Sequence, residues 1–303
     1  MTELTDFQRE ISHLLPHINL SFNEPMAKHT SFRIGGPAEV MAFPESTEQL
    51  AQILKTSKVL DIKPAIIGAG TNILAPDAGI KGLVICIKDS LSNIERLDTT
   101  HIRVDAGASM TKAAVYAANA GLSGLEFAHG IPGSVGGGVY MNAGAYGGEI
   151  KDVCISAQVM TLDGQLKTYT AEEMAFSYRH SRLEEEPGIV VSAVFVLKPG
   201  RTEEIRSRMQ ELAAKRKASQ PLDKPSAGSA FKRPVGGYAA ALIDGAGLKG
   251  YQVGGAAISE KHAGFAVNLG EATAEDVKNL LQQVSDIVYE KSGIRLEPEV
   301  RIW

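Results

Sequence analysis

The 303-residue chain has only two cysteines, Cys86 and Cys154. Both sit in apolar, strand-like runs, GLVICI and VCISAQVM, so a disulfide framework is excluded and buried, inert thiols are expected. Metal-ligand spacing is also missing. The seven histidines are scattered, with no HExxH or CxxC pattern, and no metal is expected. The longest nearly apolar run, IVVSAVFVL (189–197), is far short of the roughly 20 residues that span a bilayer. The N-terminal MTELTDFQRE lacks the basic start and apolar block of a signal peptide, so a cytoplasmic protein without membrane contact is expected. Instead Leu4, Phe7, Ile11, Leu14 and Leu15 fall at helical spacing. A net charge of −4 argues against broad nucleic-acid binding. Internal repeats and low-complexity segments are absent.

What remains is ordinary soluble composition, 44% hydrophobic and 22% charged, with length for two or three domains. Strands are expected at 38–43, 64–68, 82–87, 101–106, 153–160 and 188–197, and Asp163-Gly164 signals a hairpin. Helices are expected at 47–58, where Ser46 with Gln49 resembles a capping box, and at 109–120, closed by Gly121. After KPGRTEE (198–204) the texture changes. A helix over 202–218 leads to the loop ASQPLDKPSAGSAFKRP, then a short Ala-rich helix, strands near 251–258 and 264–269, a helix capped by Thr273, and a last strand, IRLEPEVRI. The pattern is α+β, with a boundary near 200. From Lys215 to Arg233 six basic residues face one acid, Asp223, which suits a small anionic ligand, although Lys215–Lys217 alone read as a helix C-terminus.

Glycine is the residue in excess. In HGIPGSVGGGVYMNAGAYGGE (129–149), eight of the nineteen residues from Gly130 to Gly148 are glycine. A second candidate loop, GAGTNIL (68–74), follows the strand PAII. Neither is a standard nucleotide motif: G-x-G-x-x-G fails at Ile73, and the Gly-Lys-Ser/Thr ending of a P-loop is missing. Such loops are tight turns in a β-rich domain or nests of backbone N–H groups for anionic oxygens. Judged singly, GAGTN favours the turn. The density of glycine in 130–148, with Ser134 and Asn142 as donors, favours a ligand loop.

HTSFRIGGPAEV (29–40), GAGTNIL (68–74), GLEFAHGIPGSVGGGVYMNAGAYGGEI (124–150), FSYRHSR (176–182), GSAFKRP (228–234) and LEPEVRI (296–302) occur in this order. As a set they closely resemble the UDP-N-acetylenolpyruvoylglucosamine reductase family, in its shorter, type II form. The resemblance runs from about residue 25 to the C-terminus. It implies an α+β fold: an FAD-binding fold of the vanillyl-alcohol-oxidase (PCMH) type in two subdomains, plus a C-terminal substrate-binding domain. On that basis 1–66 and 67–200 are the FAD-binding subdomains and 201–293 the substrate domain, with the strand 294–303 packing back on the first. It also implies non-covalent FAD, NADPH as reductant and UDP-N-acetylglucosamine enolpyruvate as substrate, in peptidoglycan synthesis and hence cell shape and division. A monomer that binds small molecules is expected.

Residue by residue, the resemblance implies that Gly68, Ala69, Gly70, Thr71, Asn72 and Ile73 hold FAD. It implies the same for Gly130, Pro132, Gly133, Ser134, Gly136, Gly137, Asn142, Ala143 and Gly144. Reducing an enolpyruvyl ether puts negative charge on the carbon beside a carboxylate, so a fixed cation and a positioned acid are needed. Arg179 matches the family's carboxylate-binding arginine, Ser229 its proton donor and Glu299 its assisting glutamate. In IRLEPEVRI, Ile294, Leu296, Val300 and Ile302 alternate with Arg295, Glu297, Glu299 and Arg301, while Pro298 marks an edge or bulge. Lys232, Arg233, Tyr238 and Asn268 are candidate substrate contacts. His129 and His180 are expected to make structural hydrogen bonds. Two other readings stay open: a hydroxy-acid oxidase of the same fold, and a colourless binder of nucleotide sugars.

Overall fold

The computed structural model describes residues 4–303. Its seven helices, among the described residues, are α1 (Asp6–Leu14), α2 (Thr47–Val59), α3 (Met110–Asn119), α4 (Val135–Tyr140), α5 (Thr202–Ser219), α6 (Ala239–Gly245) and α7 (Ala274–Ser292). None is long and apolar enough to cross a membrane. The chain divides into two compact units. The first is built from the segments up to Phe22, Glu39–Ala69 and Gly82–Ala214, the second from Asn23–Ala38, Gly70–Lys81 and Lys215–Trp303.

Short-range signals set most elements. The six strands expected before residue 200 form with ends within two residues of expectation. Ser46 caps α2 by accepting from Gln49 N at 3.2 Å, but Gln49 Oε1 reaches back to Glu45 N at 2.7 Å rather than to Ser46, so the box is not reciprocal. At the N-terminus Thr5 and Gln8 do form a reciprocal box, and Ile11 and Leu15 are buried. Leu4 lies ahead of that helix, and Leu4 and Leu14 are exposed. Ser109 caps α3, and Gly121 ends it with φ +67°.

The first unit is organised on a five-stranded antiparallel sheet. Its order is Leu166–Thr170, Cys154–Thr161, Gly188–Val196, His101–Asp105, Ile94–Arg96. Asp163-Gly164 closes the hairpin between the first two strands: Gly164, at φ +78°, donates to Thr161 O at 2.9 Å. Ala157, Val159, Ile189, Phe195, Ile102 and Val104 of this sheet join Ala113, Ala117 and Val139 of the helices in one core. A four-stranded sheet has the order Asn19–Pro25, Pro37–Phe43, Ile80–Cys86, Ala65–Ile67, with the last two parallel.

The second unit packs α7 on an antiparallel sheet ordered Ser226–Ser229, Phe265–Asn268, Ala256–Ile258, Gln252–Val253. Val277, Leu280, Leu281, Val284 and Val288 recur three or four residues apart and are all buried, the pattern of one apolar helix face. Phe32, Leu74, Leu296 and Val300 complete this core. Thr273 and Asp276 form a capping box on α7, and the Asp77 carboxylate accepts from Ala274 N at 2.8 Å and Glu275 N at 3.3 Å. A carboxylate there also complements the helix dipole.

The C-terminal segment differs from the nine-residue strand expected. Only Arg301–Ile302 is strand, paired in parallel with Ile73–Leu74, and before it a single bridge joins Phe231 to Pro298. Proline has no N–H to continue a ladder, so pairing breaks around it. Alternation persists at Leu296 and Val300, which are buried, whereas Ile302 is 47% exposed.

Burial pushes the Cys154 thiol up to about 12 and raises that of Cys86 as well. Cys154 stays protonated in the folded protein well above the ordinary thiol value of about 8.5, and Cys86 is shifted in the same direction. Iodoacetamide at pH 8 is expected to label neither in native protein and both in urea, counted by intact mass. Because the folded-state values are raised, stability contributed by the neutral thiols falls as pH rises above the unfolded value.

Candidate active site

The glycine-rich stretch was expected to form a loop throughout. Its centre is instead the helix α4, whose residues read VGGGVY. Glycine costs about 1 kcal/mol relative to alanine in a helix, so local propensity argues for a loop. Tertiary hydrogen bonds override it. Val135 N donates to Ala108 O and Gly136 N to Ala106 O, each at 2.8 Å, while Ser134 Oγ accepts from Gly137 N at 3.3 Å. Backbone approaches this close exclude side chains: a Cβ on Gly136 would stand 2.8 Å from Ala106 Cβ. Gly130 N is taken by Thr111 Oγ1 at 3.2 Å and Ala143 N by Gly138 O at 2.7 Å. Most amides of this stretch therefore hold the fold.

A few amides remain undonated, at the start of this stretch and in GAGTN. Among the described residues, the backbone N–H groups of Gly133 and Ser134 donate to no protein acceptor, and neither do those of Gly68 and Ala69. These four belong to the first unit. There Gly68 lies so close to Ser134 that a Cβ on Gly68 would overlap Ser134 Oγ. In the second unit Gly70, Thr71 and Asn72 also keep undonated amides, and Gly70 holds φ +62° where a Cβ would overlap His29 O. Bare amides on glycine-rich backbone fit a diphosphate, whose oxygens accept without needing a cation. Asn142 is not part of that donor set: it is fully buried and its amide group is taken by protein partners on both sides.

Arg179 lies in the first unit, half-buried at the tip of a hairpin turn. Ser177 N donates to His180 O at 3.1 Å and His180 N to Ser177 O at 3.2 Å. The arginine has φ +55°, a left-handed conformation that costs a non-glycine residue roughly 1–2 kcal/mol. Its guanidinium sits 5.1 Å from the Tyr178 ring centroid. Two features missed from the sequence anchor the turn: Asn142 Nδ2 donates to Ser177 O at 2.9 Å, and Ser181 Oγ to Tyr140 O at 2.7 Å. The serines flanking YRH were the one local sign. His180 Nε2 bonds Glu185 Oε1 at 2.7 Å, which holds that carboxyl below its usual range. His129 Nδ1 is buried with no partner among the described residues.

The second unit brings together Asn72, Ser229 and Glu299. Ser229 ends an irregular strand opposite Phe265, after Gly228 at φ +82°. The segments bearing Ser229 and Glu299 are neighbours, since Glu299 N donates to Ala230 O at 3.0 Å and Lys232 N to Glu297 O at 2.8 Å. Asn72 Nδ2 donates to Glu299 O at 3.2 Å, fixing the glutamate's backbone to the GAGTN loop. The Ser229 hydroxyl is half-buried and makes no hydrogen bond among the described residues. Lys232 pairs with Glu297, and Arg233 lies 4.7 Å from the exposed Tyr238 ring. Asn268 is buried: its Nδ2 donates to Phe32 O at 3.0 Å and its Oδ1 accepts from Gly270 and Ala272.

An FAD binding domain model matches residues 38–170, and a model of the UDP-N-acetylenolpyruvoylglucosamine reductase C-terminal domain matches 220–303. The fold is α+β with an FAD-binding domain, and the protein is an FAD-binding oxidoreductase. A UDP-N-acetylenolpyruvoylglucosamine reductase of Agathobacter rectalis is 51% identical, covering 98% of each chain. One of Streptococcus pneumoniae is 44% identical over 97% of each. The crystal structure of the Thermus caldophilus enzyme superposes with a TM-score of 0.79 at 37% identity, covering 95% of this chain and 99% of that one. The chain belongs to the UDP-N-acetylenolpyruvoylglucosamine reductase family.

Seating of α4 sets one stability test. Gly136→Ala is expected to cost about 1–3 kcal/mol through overpacking against Ala106. The urea unfolding midpoint checks this.

Proposed function

We propose that this protein reduces UDP-N-acetylglucosamine enolpyruvate to UDP-N-acetylmuramate with NADPH, through non-covalent FAD, in the cytoplasm during peptidoglycan precursor synthesis. One observation carries the reading most directly. Within one unit, the segments bearing Ser229 and Glu299 are hydrogen-bonded neighbours, and the serine hydroxyl has no partner among the described residues. Family membership supplies the substrate class.

FAD, when bound, would take a hydride from NADPH and pass one to the substrate's C=C bond. In sum, enolpyruvyl ether, NADPH and one proton give the saturated ether and NADP. The residues of this chain would manage charge and the proton. Gly68, Ala69, Gly70, Thr71 and Asn72, with Gly133 and Ser134, would donate backbone amides to the cofactor diphosphate. Arg179 would engage the substrate carboxylate, where its planar fork suits bidentate contact as negative charge develops. Ser229 Oγ would give its proton to the carbon beside the carboxylate. A hydroxyl is a weak acid, but an enolate-like carbanion is basic enough to take that proton. Glu299 would assist charge stabilisation or proton transfer beside it.

Lys232, Arg233 and Tyr238 are the proposed contacts to the substrate diphosphate and uridine. The Lys232–Glu297 pair would then have to open or share its cation. Since Asn268 is buried and engaged by backbone partners, its proposed part is to shape the wall behind the site. The units around these residues would act as FAD-binding and substrate-binding parts of a monomer.

Purified protein is expected to be yellow, to bleach with NADPH under anaerobic conditions and to recover colour with UDP-N-acetylglucosamine enolpyruvate. Colour that fails to return would remove the substrate, oxygen uptake with a simple hydroxy acid would point to an oxidase, and colourless protein that takes up no FAD would remove the flavin reading. Ser229→Ala is expected to keep bleaching with NADPH while reoxidation by the substrate slows by roughly 10²–10⁴-fold, the usual range for a lost general acid. Loss of bleaching instead, with FAD still bound, would overturn the proton-donor role.

A further inference from the structure

The buried amide of Asn142 has a use that the flavin loops do not account for. Asn142 is 0% exposed, follows α4 and its Met141 cap, and holds φ +43°. Asparagine tolerates that left-handed conformation better than most residues. Its side chain's three hydrogen bonds use both N–H donors and one acceptor site of the carbonyl. Nδ2 donates to Glu149 Oε2 at 2.7 Å and to Ser177 O at 2.9 Å, while Oδ1 accepts from Lys151 N at 2.9 Å. Aspartate would put an oxygen against the Glu149 carboxylate and the Ser177 carbonyl, and serine would reach neither. The arrangement requires two N–H groups at one end and a C=O at the other.

Ser177 opens the turn that carries Arg179, and Ser181 closes it on Tyr140 O, the last residue of α4. Thus two consecutive features at the end of one helix hold both flanks of a turn lying 35 residues further along the chain. The three residues between the ties are Tyr178, Arg179 and His180, and Arg179 is in a left-handed conformation that needs a fixed surround.

We infer that Asn142 is a positioning residue for Arg179, setting the direction from which the guanidinium meets the substrate carboxylate. This rests on the proposed role of Arg179. Displacing a charged clamp by about 1 Å can cost on the order of 100-fold in rate. FAD binding should be untouched, because the amide group faces only protein.

The test uses FAD-loaded protein and stopped-flow measurement of each half-reaction. Asn142→Ser is expected to keep its flavin and its rate of reduction by NADPH. Reoxidation by UDP-N-acetylglucosamine enolpyruvate should slow by roughly 10- to 100-fold, and the double variant with Arg179→Met should be no slower than Arg179→Met alone. Loss of FAD would return Asn142 to cofactor binding and overturn the inference. So would a reoxidation rate equal to the parent's, or effects of the two substitutions that multiply. If Arg179→Met by itself leaves reoxidation unchanged, the role of Arg179 falls first, and the positioning role with it. Should Asn142→Ser not accumulate as folded protein, Ser181→Ala probes the other tie. Slower reoxidation at unchanged reduction supports the clamp, and a parental rate of reoxidation overturns it.

Discussion

The seating of α4 on the strand end at Ala106 is the constraint from which the first unit's functional geometry follows. Two hydrogen bonds from its first turn and the absence of a Cβ at Gly136 bring the helix against backbone. At its start that contact places Ser134 against Gly68, the meeting point of the two glycine-rich segments. At its far end it delivers Tyr140 and Asn142 to the turn of Arg179. A six-residue helix thereby links the amides suited to a diphosphate with the cation suited to a carboxylate.

The two glycine-rich segments serve different physical ends. In GAGTN the backbone is left open, with amides that have no protein acceptor among the described residues. In 130–148 glycine chiefly permits close packing, and most amides are turned inward, those of Gly133 and Ser134 excepted. Composition alone cannot separate these cases, because both favour residues without a side chain. What separates them is where the hydrogen bonds go, which depends on partners distant in sequence.

Much of the fold was legible because its signals are local. Caps at Ser46, Ser109 and Thr273, the turn at Asp163-Gly164 and the alternation of the early strands each act within a few residues. The failures share a non-local cause. α4 forms against its own propensity through bonds to residues 106 and 108, and α7 borrows the Asp77 carboxylate from 197 residues away. The last strand was overextended because alternation was read through Pro298. Of the candidate site, Arg179, Ser229 and Glu299 could be named only through resemblance, since a turn arginine, a loop serine and a strand glutamate are unremarkable alone. That Ser229 and Glu299 lie on neighbouring segments needed the fold.

Both units are assembled from three separated stretches each, and the chain passes between them at residues 22, 38, 69, 81 and 214. During synthesis, Phe32 and Leu74 emerge long before the residues that bury them, among them Val277, Leu281 and Val300. The second unit is completed only when Arg301 and Ile302 pair with Ile73 and Leu74, which are made long before them. Early apolar segments must therefore wait for these later residues before they are covered. The same interleaving means that no single cut in the polypeptide releases the second unit intact, because 220–303 lacks two of its strips of core.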